Sequence, residues 1–310
     1  MTRRERVPVG FIGLGQMGRP MALNLLRDDT ELRVLSRDRA SYPELRERGA
    51  GTLESAAGLA DARIVFLSLP DTRVVQEVLF GENGLAGILA AGALVVDTST
   101  IEYGATLDIH QRLAEAGLGF LDAPVSGMQS RAEDGTLTIM CGGSRAAFDT
   151  ASPWLGRMGD KVLYMGEAGS GQLAKLVNQL LFDINCAALA EILPMAARMG
   201  LDPEKTAAVV NSGTGRSYAS EFFLPRILRD HFSDGYPLQA AYKDLVSAAQ
   251  LGASHCVPMP VLAAATATYQ MALLRGNGRR DKGSMIRLYE ELLGVRFRAA
   301  GAEGKDDEQA

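Results

Sequence analysis

The chain has 310 residues, 47% of them hydrophobic and 22% charged, which is the composition of ordinary folded domains, and its length predicts two of them. A formal net charge of −5 leaves no basic face for counterion release, so no nucleic-acid partner is expected. Three cysteines (Cys141, Cys186, Cys256) and three histidines (His110, His231, His255) lie scattered without a CxxC, which argues against a metal site, a disulfide framework and a Cys–His nucleophile.

The opening "MTRRER" is basic but runs into a β-type segment, so it is not read as a secretory leader. No stretch approaches about 18 uninterrupted apolar residues, so no membrane span is expected, and the predicted location is cytoplasmic. From residue 7 to about 165, short apolar runs alternate with amphipathic segments. The runs "VGFI", "ELRVL", "RIVFLSL", "ALVVD", "LGFLD", "LTIMC" and "KVLYM" read as strands. Between them, "PMALNLLRD", "TRVVQEVLF" and "GATLDIHQRLAEAG" read as helices. This alternation predicts an α/β fold with a doubly wound, mostly parallel sheet over residues 1–166.

After Gly169 the period changes. Leu173 to Met199 is nearly continuously apolar and too long for a strand, which predicts a buried helix that Pro194 is expected to kink or end early. Further helical pieces are separated by "SGTGRS", "SDGYP" and "GNGRRDKG", so residues 167–298 are expected to form an all-α domain. Residues 299–310 read as a disordered tail.

Gly13-Leu14-Gly15-Gln16-Met17-Gly18 fits G-x-G-x-x-G, with a strand before it and a helix after it. That context predicts a dinucleotide loop. The first glycine permits the tight turn, the second lets the pyrophosphate approach the backbone, and the third lets helix pack on strand. At the end of the second strand, Ser36 and Arg37 favour the 2′-phosphate of NADP, while Asp38 directly after them leaves NAD open.

Lys175, Asn178 and Gln179 share the spacing i, i+3, i+4 on an otherwise apolar helix. Alone, they read equally as satisfied amides beside a snorkelling lysine. Beside a nicotinamide they gain a role, because partial desolvation lowers a lysine from about 10.4 towards neutrality and makes it a usable acid and base. Ser126 and Gly127 in "LDAPVSGMQS" can offer a hydroxyl and backbone N–H groups to a carboxylate at a strand's C-terminal end. Thr98, Ser99 and Thr100 end another strand in the same way.

Taken together, "GFIGLGQMGRPMALNL", "SLPD", "VVDTSTI", "DAPVSG", "GTLTIMCGG", "GSGQLAKLVNQ" and "YKDL" resemble the β-hydroxyacid dehydrogenases, in family order over about residues 7–296. The resemblance implies a Rossmann domain, then a helical domain through which subunits associate as homodimers or homotetramers. It places the catalytic lysine at Lys175 and the amide partner at Asn178 or Gln179. Substrate contacts fall on Ser126, Gly127 and Met128, and cofactor contacts on Leu69, Pro70, Ser99, Thr100 and Lys243. The implied reaction moves a hydride between NADP or NAD and a small β-hydroxy acid or semialdehyde. The alternatives are a reductase of another small aldehyde or cyclic imine, and a non-catalytic NADP-binding redox sensor.

Two departures stand out. Many members read "SGG" where this chain has Ser126-Gly127-Met128, and many carry asparagine where this chain has Gln179. Related imine reductases usually replace the lysine that is present here as Lys175.

Overall fold

Alternation along the strands decides where the core sits. Phe11, Phe66, Val96 and Leu121 are buried on one face of a sheet, while Ile12, Val65, Leu67, Val95 and Phe120 are buried on the other. A sheet with two apolar faces must be covered twice, and each Val, Leu or Phe so buried contributes roughly 1.5–3 kcal/mol. The computed structural model describes residues 6–301. The chain divides into two compact units, residues 1–175 and 176–310.

In the first unit, β1 (Val7–Ile12), α1 (Gly18–Leu25), β2 (Thr30–Leu35), α2 (Tyr42–Glu47) and β3 (Gly51–Thr52) lead to β4 (Ile64–Leu67). Then come α3 (Thr72–Phe80), α4 (Leu85–Ile88), β5 (Leu94–Asp97), α5 (Tyr103–Glu115) and β6 (Gly119–Asp122). The sheet closes with β7 (Val125–Ser126), α6 (Met128–Glu133), β8 (Leu137–Gly143), α7 (Arg145–Leu155) and β9 (Gly159–Gly166). Strands run in the order β3-β2-β1-β4-β5-β6-β8-β7, with β9 on β8. From β3 to β6 all pairs are parallel. The β6–β8 and β7–β8 pairs are antiparallel, and β8–β9 is parallel again. The first six strands follow the doubly wound order in which ligands bind beside the central pair, where the winding reverses. Helices α1 and α7 cover one face with Met21, Leu25, Trp154 and Leu155, and α3 and α5 cover the other with Val75, Leu79, Ile109 and Leu113.

The helix α8 (Ser170–Arg198) begins in the first unit and continues into the second. Its 29 residues rise about 43 Å at 1.5 Å each. Pro194 lies inside it, so the helix neither ends nor breaks there. By length and composition α8 could cross a membrane, but Cys186, Ala187, Ala190 and Leu193 are buried in the helical core. The second unit continues with α9 (Pro203–Ser212), α10 (Tyr218–Ile227), α11 (Leu238–Ser254), α12 (Pro260–Leu274) and α13 (Ile286–Leu293). Their shared core includes Phe223, Leu224, Leu245, Tyr269 and Phe297. In the expected tail, Ala299 donates its N–H to Leu228 O at 2.9 Å, while residues 302–310, like residues 1–5, lie outside the described residues.

Candidate active site

At the central pair of the sheet, the loop after β1 and the loop after β4 press together. Gly13 has φ 97°, and a Cβ there would stand 2.2 Å from Ser68 O; a Cβ on Gly18 would stand 2.0 Å from Gly13 O. Both glycines are therefore fixed by the protein itself. Gly15 differs, because a Cβ there would meet nothing within 4 Å, and the residue is exposed. Leu14 is buried, Met17 packs against the core, and Gln16 donates from Nε2 to Gln129 Oε1 at 2.8 Å.

Where α3, α7, α9 and α10 have a side-chain cap, α1 has none, and its first turn has no acidic residue. The open space over Gly15 and the uncapped N–H groups of α1 fit a pyrophosphate.

At the end of β2, Ser36 N–H donates to the Tyr42 hydroxyl at 2.9 Å, which in turn donates to Leu53 O at 3.0 Å. Arg37 is exposed and has no hydrogen-bond or ion-pair partner among the described residues. The Asp38 carboxylate is turned to the Ala40 N–H at 2.9 Å. After β4, Leu69 N–H donates to Ser99 Oγ at 2.8 Å, and Pro70 is exposed next to it. Thr98 donates from Oγ1 to Leu67 O at 2.6 Å, and Thr100 is exposed. The loops after β4 and β5 are thus one hydrogen-bonded piece.

Ser126 pairs with Thr138 in β7–β8 and is half-buried. Gly127 takes φ 145°, and a Cβ there would crowd Arg131 and Leu137 at 2.8 and 3.0 Å. Met128 holds φ 61°, a left-handed backbone in which glycine is at ease and methionine is not.

Lys175 is buried at 8% exposure, one turn beyond Gln172 in the first turn of α8. Gln172 donates from Nε2 to Ser99 O at 2.7 Å and accepts Ile101 N–H at 3.2 Å. Asp122, fully buried at the end of β6, accepts N–H groups from Gly169 at 2.8 Å and Gln172 at 2.9 Å. Further along α8, in the second unit, Asn178 is exposed and Gln179 half-buried. Lys243 lies on an exposed face of α11, also in the second unit.

Comparison with known proteins decides the family. Residues 8–166 match the NAD-binding domain of 6-phosphogluconate dehydrogenase, and residues 169–289 match the NAD-binding region of NADP-dependent 3-hydroxyisobutyrate dehydrogenase. The chain is 36% identical to 2-(hydroxymethyl)glutarate dehydrogenase of Eubacterium barkeri, over 94% of this chain and 97% of that one. It belongs to the β-hydroxyacid dehydrogenase family. A second relative, 2-hydroxy-3-oxopropionate reductase of Escherichia coli, is 34% identical over 91% of this chain and 97% of its own length. Among solved structures, Mycobacterium tuberculosis 3-hydroxyisobutyrate dehydrogenase with L-serine superposes with a TM-score of 0.82 at 27% identity, covering 91% of this chain and 99% of that one.

This β-hydroxyacid dehydrogenase is accordingly an NAD(P)-dependent oxidoreductase. Asp97, Asp122 and Gln172 are the buried polar residues around the site that the spacing of motifs does not single out. The acids sit inside "VVDTST" and "LDAPVSG", and the only sequence signal they give is a carboxylate ending a strand.

Proposed function

We propose that this β-hydroxyacid dehydrogenase interconverts a small β-hydroxy acid and its semialdehyde, of the 3-hydroxyisobutyrate or 2-hydroxy-3-oxopropionate type, using NADP in preference to NAD. The observation that carries the reading is the buried Lys175, set one turn past a glutamine that is hydrogen-bonded to the loop after β5. Bound nicotinamide supplies or accepts the hydride at the carbinol carbon. Lys175 then gives a proton to the developing alkoxide oxygen in reduction and takes it back in oxidation. Asn178 or Gln179, on the same helix, orients the hydroxyl. Ser126 and Gly127 hold the substrate carboxylate with a hydroxyl and an N–H group. The acids named for the relatives share that layout, a carboxylate one carbon away from a CH2OH or CHO group.

Arg37 supports NADP, since it is an exposed guanidinium at the end of β2 with its neighbouring carboxylate already engaged. We also propose association of copies through the helical unit, because Val177, Leu181, Ile192 and Met195 are exposed along α8. Light scattering in solution tests this, and a monomer at micromolar concentration overturns it.

The activity is tested by following nicotinamide absorbance with NADPH and NADH against small semialdehydes and one cyclic imine. Turnover of a semialdehyde is expected, with kcat falling about 10²–10⁴-fold in Lys175→Ala. Turnover of the imine alone moves the chemistry to imine reduction, and tight cofactor binding without turnover of any panel member points to a sensor.

A further inference from the structure

Helix α8 begins in an unusual way. The first N–H groups of a helix have no partner inside it and are commonly met by a side chain just before the first turn. Here the acceptor comes from a different strand. Asp122, at the C-terminal end of β6, takes Gly169 N–H on Oδ1 and Gln172 N–H on Oδ2, at 2.8 and 2.9 Å. The carboxylate is fully buried, and each oxygen has its own donor from the turn.

The joint has no slack. A Cβ on Gly171 would lie 2.4 Å from Met140 O and 2.7 Å from Asp122 Oδ2. A Cβ on Gly142 would lie 2.6 Å from Gly171 N and 2.7 Å from Asp122 Oδ1. Gly169 has φ 83°, and a Cβ there would stand 2.7 Å from the Tyr103 ring. Backbone from β6, β8 and α8 therefore meets around one carboxylate. Gln172, at 3% exposure, ties the same turn to Ser99 O and Ile101 N–H.

We propose that Asp122 is a positioning residue for Lys175, seating the first turn of the helix that carries it, with Gln172 setting that turn against the Ser99–Thr100 loop. The proposal rests on the reading of Lys175 as proton donor. Lys175 follows Gln172 by three residues, so its side chain stands above the seated turn. A displacement of about 1 Å at a reacting group costs on the order of 10²-fold in rate.

The experiment is a double-mutant comparison in the full chain, with the semialdehyde that the parent turns over fastest. Asp122→Asn keeps the side chain's shape and one accepting oxygen but replaces the other with a donor. Expected are an NADPH Kd close to the parent's and a kcat about 10²-fold lower. In a Lys175→Ala background, the same substitution is expected to cost less than about threefold, because nothing remains to be positioned.

A kcat for Asp122→Asn within about threefold of the parent overturns the proposal, as does a full multiplicative loss in the double variant. Lys175→Ala that keeps the parental kcat overturns the donor assignment first, and the positioning role with it. If Asp122→Asn does not fold, Gln172→Met gives the same comparison, with about a tenfold loss expected that disappears in the Lys175→Ala background.

Discussion

Asp97 and Asp122 stand side by side as in-register partners at the ends of β5 and β6, and neither side chain reaches solvent. Their oxygens are unequally served. Asp122 has a donor on each oxygen, whereas Asp97 accepts Ser99 N–H on Oδ1 at 2.9 Å and its buried Oδ2 has no partner among the described residues. Burial pushes the Asp97 carboxyl up to about 7; hydrogen bonds from Ser99 oppose the shift, and neighbouring Asp122 adds to it.

The sign of the resulting pH dependence follows from linkage. Asp97 keeps its proton in the folded protein over a range in which the unfolded chain has lost it. Its contribution to stability is fully present at acid pH, falls as pH rises from about 4 to about 7, and is flat above. Three pH units correspond to about 4 kcal/mol as an upper figure. Asp97→Asn is expected to raise stability at pH 8 relative to the parent and to remove this slope. Urea titrations at pH 5 and pH 8 check it, and parallel curves for parent and variant would rule the assignment out.

The three glycines of the opening loop are predicted to separate into two kinds. Gly13→Ala and Gly18→Ala drive a Cβ into backbone oxygens at 2.2 and 2.0 Å, so they cost stability, about 1–3 kcal/mol from overpacking alone. Gly15→Ala meets no protein atom within 4 Å and should leave the melting temperature near the parent's. Its expected effect is on the ligand, a weakening of NADPH by about tenfold or more, since pyrophosphate needs close backbone approach there. Thermal melts with and without NADPH distinguish the two kinds, and a Gly15→Ala variant that binds NADPH like the parent contradicts the placement of the phosphates.

How far the sequence foretold this depends on the range of the forces involved. The long strands were legible because alternating or continuous apolar runs need only local chain to be seen, as in "RIVFLSL" for β4 and "LTIMC" for β8. Gly51–Thr52 and Val125–Ser126 were not, because two residues carry no period. The reversal of direction at β8 was equally hidden, since the motif after β6 reads the same whichever way the next strand runs. Pro194 did not end α8 early, because the helix continues through it to Arg198. Around the site, glycine spacing and a lysine on an apolar helix are local signals. The Asp122 and Gln172 contacts join residues 47, 50, 71 and 73 positions apart, and only the folded sheet places those residues together.

We propose that cofactor choice turns on Arg37. An exposed guanidinium at the strand end, with Asp38 engaged by Ala40 N–H, is placed to meet a 2′-phosphate and has no counterpart to meet in NADH. Arg37→Ala is expected to weaken NADPH by about 1.5–3 kcal/mol, the range for a charged hydrogen bond, and to leave NADH nearly unchanged. Fluorescence titration with both cofactors decides it, and equal losses for the two remove Arg37 from the site.

The helical unit offers a prediction of a different kind. Lys282 and Asp183 form an ion pair at 1% and 0% side-chain exposure, with the Tyr269 hydroxyl donating to Asp183 Oδ1 at 3.2 Å and the Lys282 ammonium 4.4 Å above the Phe182 ring. Burying two charges costs solvation that their attraction only partly returns, so the pair itself adds little net stability. Removing one partner is another matter, because the remaining charge is left in an apolar core. Lys282→Met is expected to destabilise by about 3–5 kcal/mol, and adding Asp183→Leu to recover most of that loss. Urea unfolding of the single and double variants measures both. A double variant as unstable as Lys282→Met would mean that the pair's worth lies in the geometry it imposes on Tyr269 and Phe182, not in its compensated charge.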